Sequence, residues 1–505
     1  MSAPLAACGS GLFVDSSQDS EQKKRFRGLS SPHIWVSTTY FGEGFPYSIV
    51  NNLAEILFKE MGASLQAIGL TALFHLPWNL KFLWGPFLDH YETKRRWLLG
   101  VEVALTICLV ALAFFACGRQ LLGIIAASFF VLALLSATHD IAVDGFYLEG
   151  LDSAGQSKFV GYRAMAYKVS SLVVRGPLII LIGWVGWTGG LLTAAGLFFF
   201  LTLLHWKILP DVERPGPSVT ALLREILRPR VLVFGTVVAG LVLLQRKTKF
   251  FDPCIEALRG ALQHAPALSQ LSVPGWITLG LLGALLVTLA LLGPIKRRVA
   301  TSNSHYATAF IDFLARPRVG VVLAFVVLFR AGESFLQKMK WPFLRDELGL
   351  SLEQYGFANG TLGVIASFAG TFLGGWLIAR HGLKKWIWPF VLAQNTLNLL
   401  YAWLAWAGKQ GAVGLGSITA VIMTEHLGEG LGTAVFMVYL MRSCDPAHKA
   451  AHMALLTALM SVSFTIAGVA SGFLASWLGF CPYFIFTFLA TLPGMALIHY
   501  LPHRQ

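Results

Sequence analysis

Long apolar runs separated by short polar turns dominate the chain from about residue 33 to its end. Residues 197–204, 281–292 and most of 123–135 are close to continuously apolar. A helix needs about 20 apolar residues to cross the hydrocarbon of a bilayer. Segments of that length predict spans at about 33–58, 65–89, 97–116, 121–148, 160–183 and 187–208. A second set is predicted at 319–342, 354–379, 386–407, 412–441, 452–477 and 480–500. The linkers are short, so consecutive spans should be antiparallel neighbours. The pattern therefore divides the chain into a tail over 1–30, expected to be disordered, a six-helix half over 31–209, an insert over 210–318 and a second six-helix half over 319–505. Within the insert, 276–294 is long enough to span. Residues 231–244 are short and bracketed by Arg228, Arg230, Arg246 and Lys247. The insert reads as two extra helices in a hairpin, or as one interfacial helix with a re-entrant segment. An even number of added spans keeps the second half in phase.

Charge sets the orientation. The first terminus and the alternate turns on its side carry Lys23, Lys24, Arg25, Arg27, Lys94, Arg95, Arg96, Lys158, Arg163, Arg380, Lys384, Lys385, Arg442, Lys449 and Arg504. The opposite side carries Lys59, Arg119, Arg345 and Lys409. Basic loops stay inside, so both termini are expected in the cytoplasm. The composition agrees with a membrane protein: 55% of the 505 residues are hydrophobic and 13% charged, against about 25% charged in soluble domains. The net charge of +13 is spread over these turns and has no separate basic domain. It points to lipid head groups and not to nucleic acid. The six cysteines are scattered with no CxxC, and His448 and His452 lack a third ligand nearby. No metal or cofactor is expected.

The two halves repeat each other. Gly42-Glu43-Gly44-Phe45 stands 290 residues before Gly332-Glu333-Ser334-Phe335. Gly62, Ser64 and Gly69 stand 287 before Gly349, Ser351 and Gly356, and Tyr147-Leu148 stands 292 before Tyr439-Leu440. A parallel repeat of two six-span halves resembles the major facilitator superfamily. So does the turn Gly374-Gly375-Trp-Leu-Ile-Ala-Arg380-His-Gly382-Leu-Lys384-Lys385, with Ala379 in the aspartate position; the first half keeps Asp89. The resemblance implies an all-α polytopic fold whose central cavity is lined by spans 1, 4, 7 and 10. It also implies a conformational latch involving Asp89, Arg95, Arg380 and Lys384.

Charges inside spans are expensive and are functional candidates by default. Asp140 and Asp144 are four apart on span 4, and Glu425 and Glu429 four apart on span 10, so each pair shares a helix face. Asp140, Asp144, Glu43, Glu333 and Glu429 are of the type needed for proton coupling. Lys81, His139, Lys168, Arg175, Arg330, Lys338, Glu425 and Asn395 are the candidates for binding substrate, arginine being suited to a carboxylate. The set is spread at mid-depth over both halves, not focused as in a membrane enzyme, so no catalytic residue is expected.

Several stretches resemble the AmpG muropeptide permease branch of the superfamily: Tyr40-Phe-Gly-Glu-Gly-Phe-Pro46, Lys81-Phe-Leu-Trp-Gly-Pro-Phe-Leu-Asp89, Ala137-Thr-His-Asp-Ile-Ala-Val-Asp144, Phe329-Arg-Ala-Gly-Glu-Ser-Phe335 and Glu425-His-Leu-Gly-Glu-Gly-Leu-Gly-Thr433. His139 stands where that branch has glutamine, and Gly145-Phe146 where it has alanine-tryptophan. The resemblance implies a monomeric permease of the bacterial inner membrane. It would import cell-wall muropeptides, or the disaccharide of N-acetylglucosamine and anhydro-N-acetylmuramic acid, together with protons. Its partners would be a small-molecule substrate, protons and the bilayer. The alternative is a permease for another bulky anion, such as a siderophore or an acyl-CoA.

Overall fold

A computed structural model of the chain describes residues 30–81, 84–117, 121–211, 217–218, 313, 316–411, 413–445 and 449–502. The expected tail and nearly all of the 210–318 insert, including its two possible spans, lie outside the described residues. The described residues are helical and contain no strand. They form rods that follow the predicted spans: α1 (32–60), α2 (65–80, resumed at 85–90), α3 (Lys94–Phe115), α4 (Leu122–Gly150), α5 (153–185) and α6 (187–208) in the first half, and α7 (Val319–Asp346), α8 (Leu352–His381), α9 (383–408), α10 (Leu415–Ser443), α11 (Lys449–Leu478) and α12 (Phe480–Tyr500) in the second. Among the described residues seven helical segments, one of them Lys158–Ile208 with α5 and α6 taken together, are long and apolar enough to cross a membrane by length and composition. The outer faces carry large apolar side chains in the open, such as Trp477 at 81% and Phe372 at 69% exposure. Such a surface suits lipid and not water.

Helix ends differ from the predicted spans where capping sets them. Span 5 was expected to begin near 160, yet α5 begins at Ser153, because the Asp152 side chain accepts from the Gly155 N–H at 2.8 Å. The apolar pattern marks where a rod enters the hydrocarbon, whereas the cap marks where the helix starts.

The sequence repeat is also a repeat of turns. Gly62 and Gly349 both have positive φ, 78° and 67°. Each is followed by a serine that caps the next helix: Ser64 accepts from the Ala67 N–H and Ser351 from the Gln354 N–H. Gly186 and Gly479, 293 residues apart, have φ of 77° and 75° and turn α5 into α6 and α11 into α12. A side chain at that φ is strained, so glycine is required to reverse the chain within one residue.

The halves meet along two seams, α2 against α11 and α5 against α8. Both seams are backbone contacts. A Cβ on Gly472 would lie 2.1 Å from the Leu65 carbonyl oxygen, and one on Gly360 would lie 1.6 Å from the Arg175 carbonyl oxygen. Small residues allow this approach, which in lipid replaces the hydrophobic drive lost between apolar helices. On the side of the 61–64 and 347–351 turns, ion pairs between α1 and α7 add a further contact between the halves. Lys59 meets Asp346 at 2.5 Å and Arg345 meets Glu60 at 3.1 Å.

Gly360→Ala should push α5 and α8 apart and cost about 1–3 kcal/mol. It should lower the melting temperature of the detergent-solubilised protein. Gly100→Ala, where a Cβ meets nothing within 4 Å, should leave it unchanged.

Candidate functional site

Two adjoining chambers of ≈ 150 and ≈ 290 Å³ lie between the halves. Both are walled by Asn51 and Asn52 of α1, Arg175 of α5, Gln337 of α7, Glu429 of α10 and Phe464 of α11. The smaller adds Glu55, Lys338 and Asn359, and the larger adds His75, Arg330 and Glu333. Spans 1, 7 and 10 thus line the cavity as expected. Span 4 was expected there too, but α4 contributes nothing to these chambers. The space beside it is filled by groups of its own half.

That filling builds the first charged cluster. Asp140 of α4 pairs with Lys81 of α2 at 2.5 Å. Asp144 accepts from the Tyr40 hydroxyl at 2.7 Å and pairs with Arg163 of α5 at 3.2 Å. The Arg163 guanidinium also lies over the Tyr40 ring. Glu43 of α1 is buried beside Asp140, within hydrogen-bonding reach. Of the five residues predicted for proton coupling, Glu43, Asp140 and Asp144 come together here. Arg163 belongs with them. The sequence reading placed it only among the topology charges, because it lies close to the basic end of α5.

The second cluster belongs to the other half. Glu429 pairs with His426 at 3.1 Å and with Arg330 at 3.9 Å, and Arg330 donates to Thr433 at 2.6 Å. Glu333 accepts from the Gln337 amide at 2.5 Å. Lys338 crosses to the first half and meets Glu55 at 3.0 Å. This pair joins the halves on the chamber wall itself.

Five of the eight predicted substrate residues, His139, Glu425, Asn395, Lys168 and Lys81, line neither chamber. His139 is fully buried on another face of α4, since consecutive helical residues point about 100° apart. Its Nε2 lies 3.3 Å from Glu102 of α3, and His205 of α6 approaches the same carboxylate oxygen at 2.6 Å. Glu102, His139 and His205 are all 0% exposed. This cluster holds α3, α4 and α6 together, away from the cavity. Glu425 shares a face of α10 with Glu429, but one turn away Lys340 of α7 covers it at 2.7 Å, and the Tyr401 hydroxyl donates to it at 3.3 Å. Asn395 is buried on α9, which packs against α10 outside the chambers. Lys168 is exposed over the Phe368 ring of α8 and lines neither chamber. Lys81 pairs with Asp140, while Arg175, Arg330 and Lys338 face the chambers.

Of the four residues predicted for the latch, Arg95, Arg380 and Lys384 can be followed among the described residues. Arg95 donates to the Trp206 and Leu209 carbonyls, capping the end of α6. Arg380 lies over the Trp376 ring of its own helix, and Lys384 is exposed. The Asp89 side chain lies outside the described residues. The neighbouring Lys94 also ties this turn to its surroundings. It is 4% exposed, donates to the Leu88 carbonyl and reaches Glu149 at 3.7 Å. Its stem lies over Gly145, where a Cβ would come within 2.8 Å. Asn51 and Asn52 stand out in the sequence as polar residues of span 1, whereas Gln337, Asn359 and Phe464 were missed as site residues. Uncharged residues in a span carry no signal of cost, and only the fold aims them at one cavity.

Lys340→Met should leave Glu425 buried without its cation and cost about 3–5 kcal/mol, while Lys340→Met/Glu425→Leu should regain most of that. Melting temperatures of the purified variants, single against double, check the order.

The Major Facilitator Superfamily profile matches residues 322–505. Anhydromuropeptide permease of Escherichia coli K12 is 24% identical over 464 residues, covering 91% of this chain and 77% of the relative. Putative transporter AmpG 4 of Rickettsia conorii is 21% identical, covering 91% and 93%. Among solved structures, a peptide transporter POT in complex with sulfate superposes with a TM-score of 0.65 at 14% identity, covering 96% of this chain and 98% of the other. The D-xylose-proton symporter gives 0.58 at 12%, covering 94% and 98%. A cavity between two repeated six-helix halves, charges turned inward and these likenesses lead to one conclusion: the chain is a multi-pass membrane protein of the major facilitator fold, and it resembles the AmpG-type permeases.

Proposed function

We propose that the chain is a proton-coupled secondary transporter that imports muropeptides, or their amino-sugar disaccharide, across the bacterial inner membrane. One observation supports the substrate above all: the similarity to anhydromuropeptide permease runs over 91% of the chain, so it takes in both halves and the cavity between them. The cavity fits such a solute. Its walls are polar and drawn from both halves, and among the described residues its charges are engaged with one another except at Arg175 and Glu333, which make no ion pair.

Orientation follows from the basic turns, which put residues 90–96 and 380–385 and both termini in the cytoplasm. The inter-half ion pairs Lys59–Asp346 and Arg345–Glu60 then close the outer side, and solute in the chambers has its route toward the cytoplasm. In a variant without the native cysteines, Lys384→Cys should react with an impermeant thiol reagent only after the membrane is opened. Labelling of intact cells would reverse the topology.

Coupling is assigned to the cluster of Glu43, Asp140 and Asp144. A proton on one of the adjacent carboxyls Glu43 and Asp140 changes what Lys81 must neutralise, so protonation is linked to how α1, α2 and α4 pack. Asp140→Asn keeps size and hydrogen bonding but cannot exchange a proton. It should abolish accumulation of labelled disaccharide in proteoliposomes under an imposed proton gradient, while leaving expression and melting temperature near wild type. Accumulation equal to wild type would remove Asp140 from the coupling site.

A further inference from the structure

Three rods carry π-helical turns at the level of the chambers: α1 over Ile49–Leu53, α5 over Val174–Leu178 and α8 over Gly356–Gly363. A π-turn inserts one residue into the helix, disturbs its regular hydrogen bonding and is frequent at functional sites. Pro177 explains one of them, because it offers no N–H to the turn before it. What the three share is their cargo. They present Asn51 and Asn52, Arg175, and Asn359 to the same pair of chambers.

The atoms left open on these residues are informative. The Arg175 guanidinium makes no hydrogen bond or ion pair with any described residue. The carboxylates nearest in charge, Glu55 and Glu429, are held by Lys338, His426 and Arg330. Asn52 donates to the Ser48 carbonyl, which leaves its Oδ1. Asn359 Oδ1 meets His426 Nε2 at 2.9 Å, which leaves its Nδ2. Gln337 gives its amide nitrogen to Glu333 and Glu425, which leaves its Oε1. The wall therefore offers one cation, two acceptors and one donor to a solute. Acetamido groups present an N–H and a C=O, and a carboxylate matches the planar guanidinium.

We infer that the π-turns of α1, α5 and α8 form the solute site, with Arg175 binding a carboxylate and Asn52, Gln337 and Asn359 binding acetamido groups. This rests on the transport reading above and assigns its recognition to atoms. The site also lies on the α5–α8 seam, since the Arg175 carbonyl is the atom that packs against Gly360. A solute held by Arg175 and Asn359 bridges both halves at the place where they touch.

The test uses the full chain in proteoliposomes and two labelled probes: the N-acetylglucosaminyl-anhydro-N-acetylmuramic disaccharide with its free carboxylate, and the same disaccharide as its methylamide. Wild type should take up the acid with kcat/KM about tenfold or more above the methylamide. Arg175→Gln should raise KM for the acid by about 10- to 100-fold, leave the methylamide unchanged and so erase the preference. Arg175→Lys, which keeps the charge, should retain part of it. Asn52→Ala tests the other arm. It should lose the preference for the N-acetylated over the N-deacetylated disaccharide while keeping the preference for the acid. An Arg175→Gln protein that still prefers the acid overturns the assignment of Arg175, and an Asn52→Ala protein with unchanged acetamido preference overturns that of the α1 turn. Wild type that takes up neither probe overturns the transport reading itself, and this assignment with it.

Discussion

An ionised side chain within the hydrocarbon must find its counter-charge inside the protein, and the arrangement of this molecule follows from that constraint. Most of the described mid-depth pairs are internal to one half. Lys81 with Asp140 and Arg163 with Asp144 belong to the first half, and Lys340 with Glu425 and Arg330 with Glu429 to the second. Each half thus neutralises its own charges and can move as a unit without exposing them. The pair between Glu55 and Lys338 is different in kind, because its members sit on opposite halves and on the chamber wall. Its cost falls due whenever the halves part, unless water or solute takes its place.

The backbone imposes a matching constraint. Helices in lipid gain little by burying apolar side chains against each other, so the seams rely on closeness. Glycine supplies it at α2–α11 and α5–α8, and α8 and α10 approach in the same way, with Gly370 and Gly430 against each other's backbones. The π-turns sit where α5 and α8 cross. The most closely packed part of the inter-half contact is therefore also the part with irregular hydrogen bonding, a combination that favours two discrete arrangements over gradual deformation.

Much of this was legible in the residue pattern. The spans, the repeat and the inward turn of the charges follow from periodicity and from the cost of charge in lipid. The paired Gly62-x-Ser64 and Gly349-x-Ser351 units were visible as letters before they appeared as turns. The misreadings have a common cause. At His139, Glu425 and Asn395 the residue type was informative, but the neighbour that claims it comes from a distant span: Glu102 and His205, Lys340 and Tyr401, and the α9–α10 packing. Sequence spacing gives the face of one helix and not what covers that face. Two carboxamides on the chamber wall, Gln337 and Asn359, were missed for the opposite reason. An asparagine is cheap enough to go unnoticed in a span, and the π-turns that aim it leave no mark in apolar periodicity.

α1 ties the proposed activities together. Glu43, beside Asp140, comes first along it; Asn51 and Asn52 follow in the π-turn; Glu55, paired across the halves with Lys338, comes last. At 1.5 Å per residue these three stations lie within about 18 Å on a single rod. A rod of that length shifts and tilts largely as a whole, so a change at one station is felt at the other two. Protonation at Glu43 or Asp140 alters the hold of α2 and α4 on one end. Solute at the π-turn loads the middle. The Glu55–Lys338 pair reports both to the second half. Coupling then needs no chain of small relays across the protein. It needs α1 to have two seats within its half, and the absence of side chains at Gly42 and Gly44, where α1 lies against His139 and against Ser170 of α5, gives it a thin edge on which to move between them.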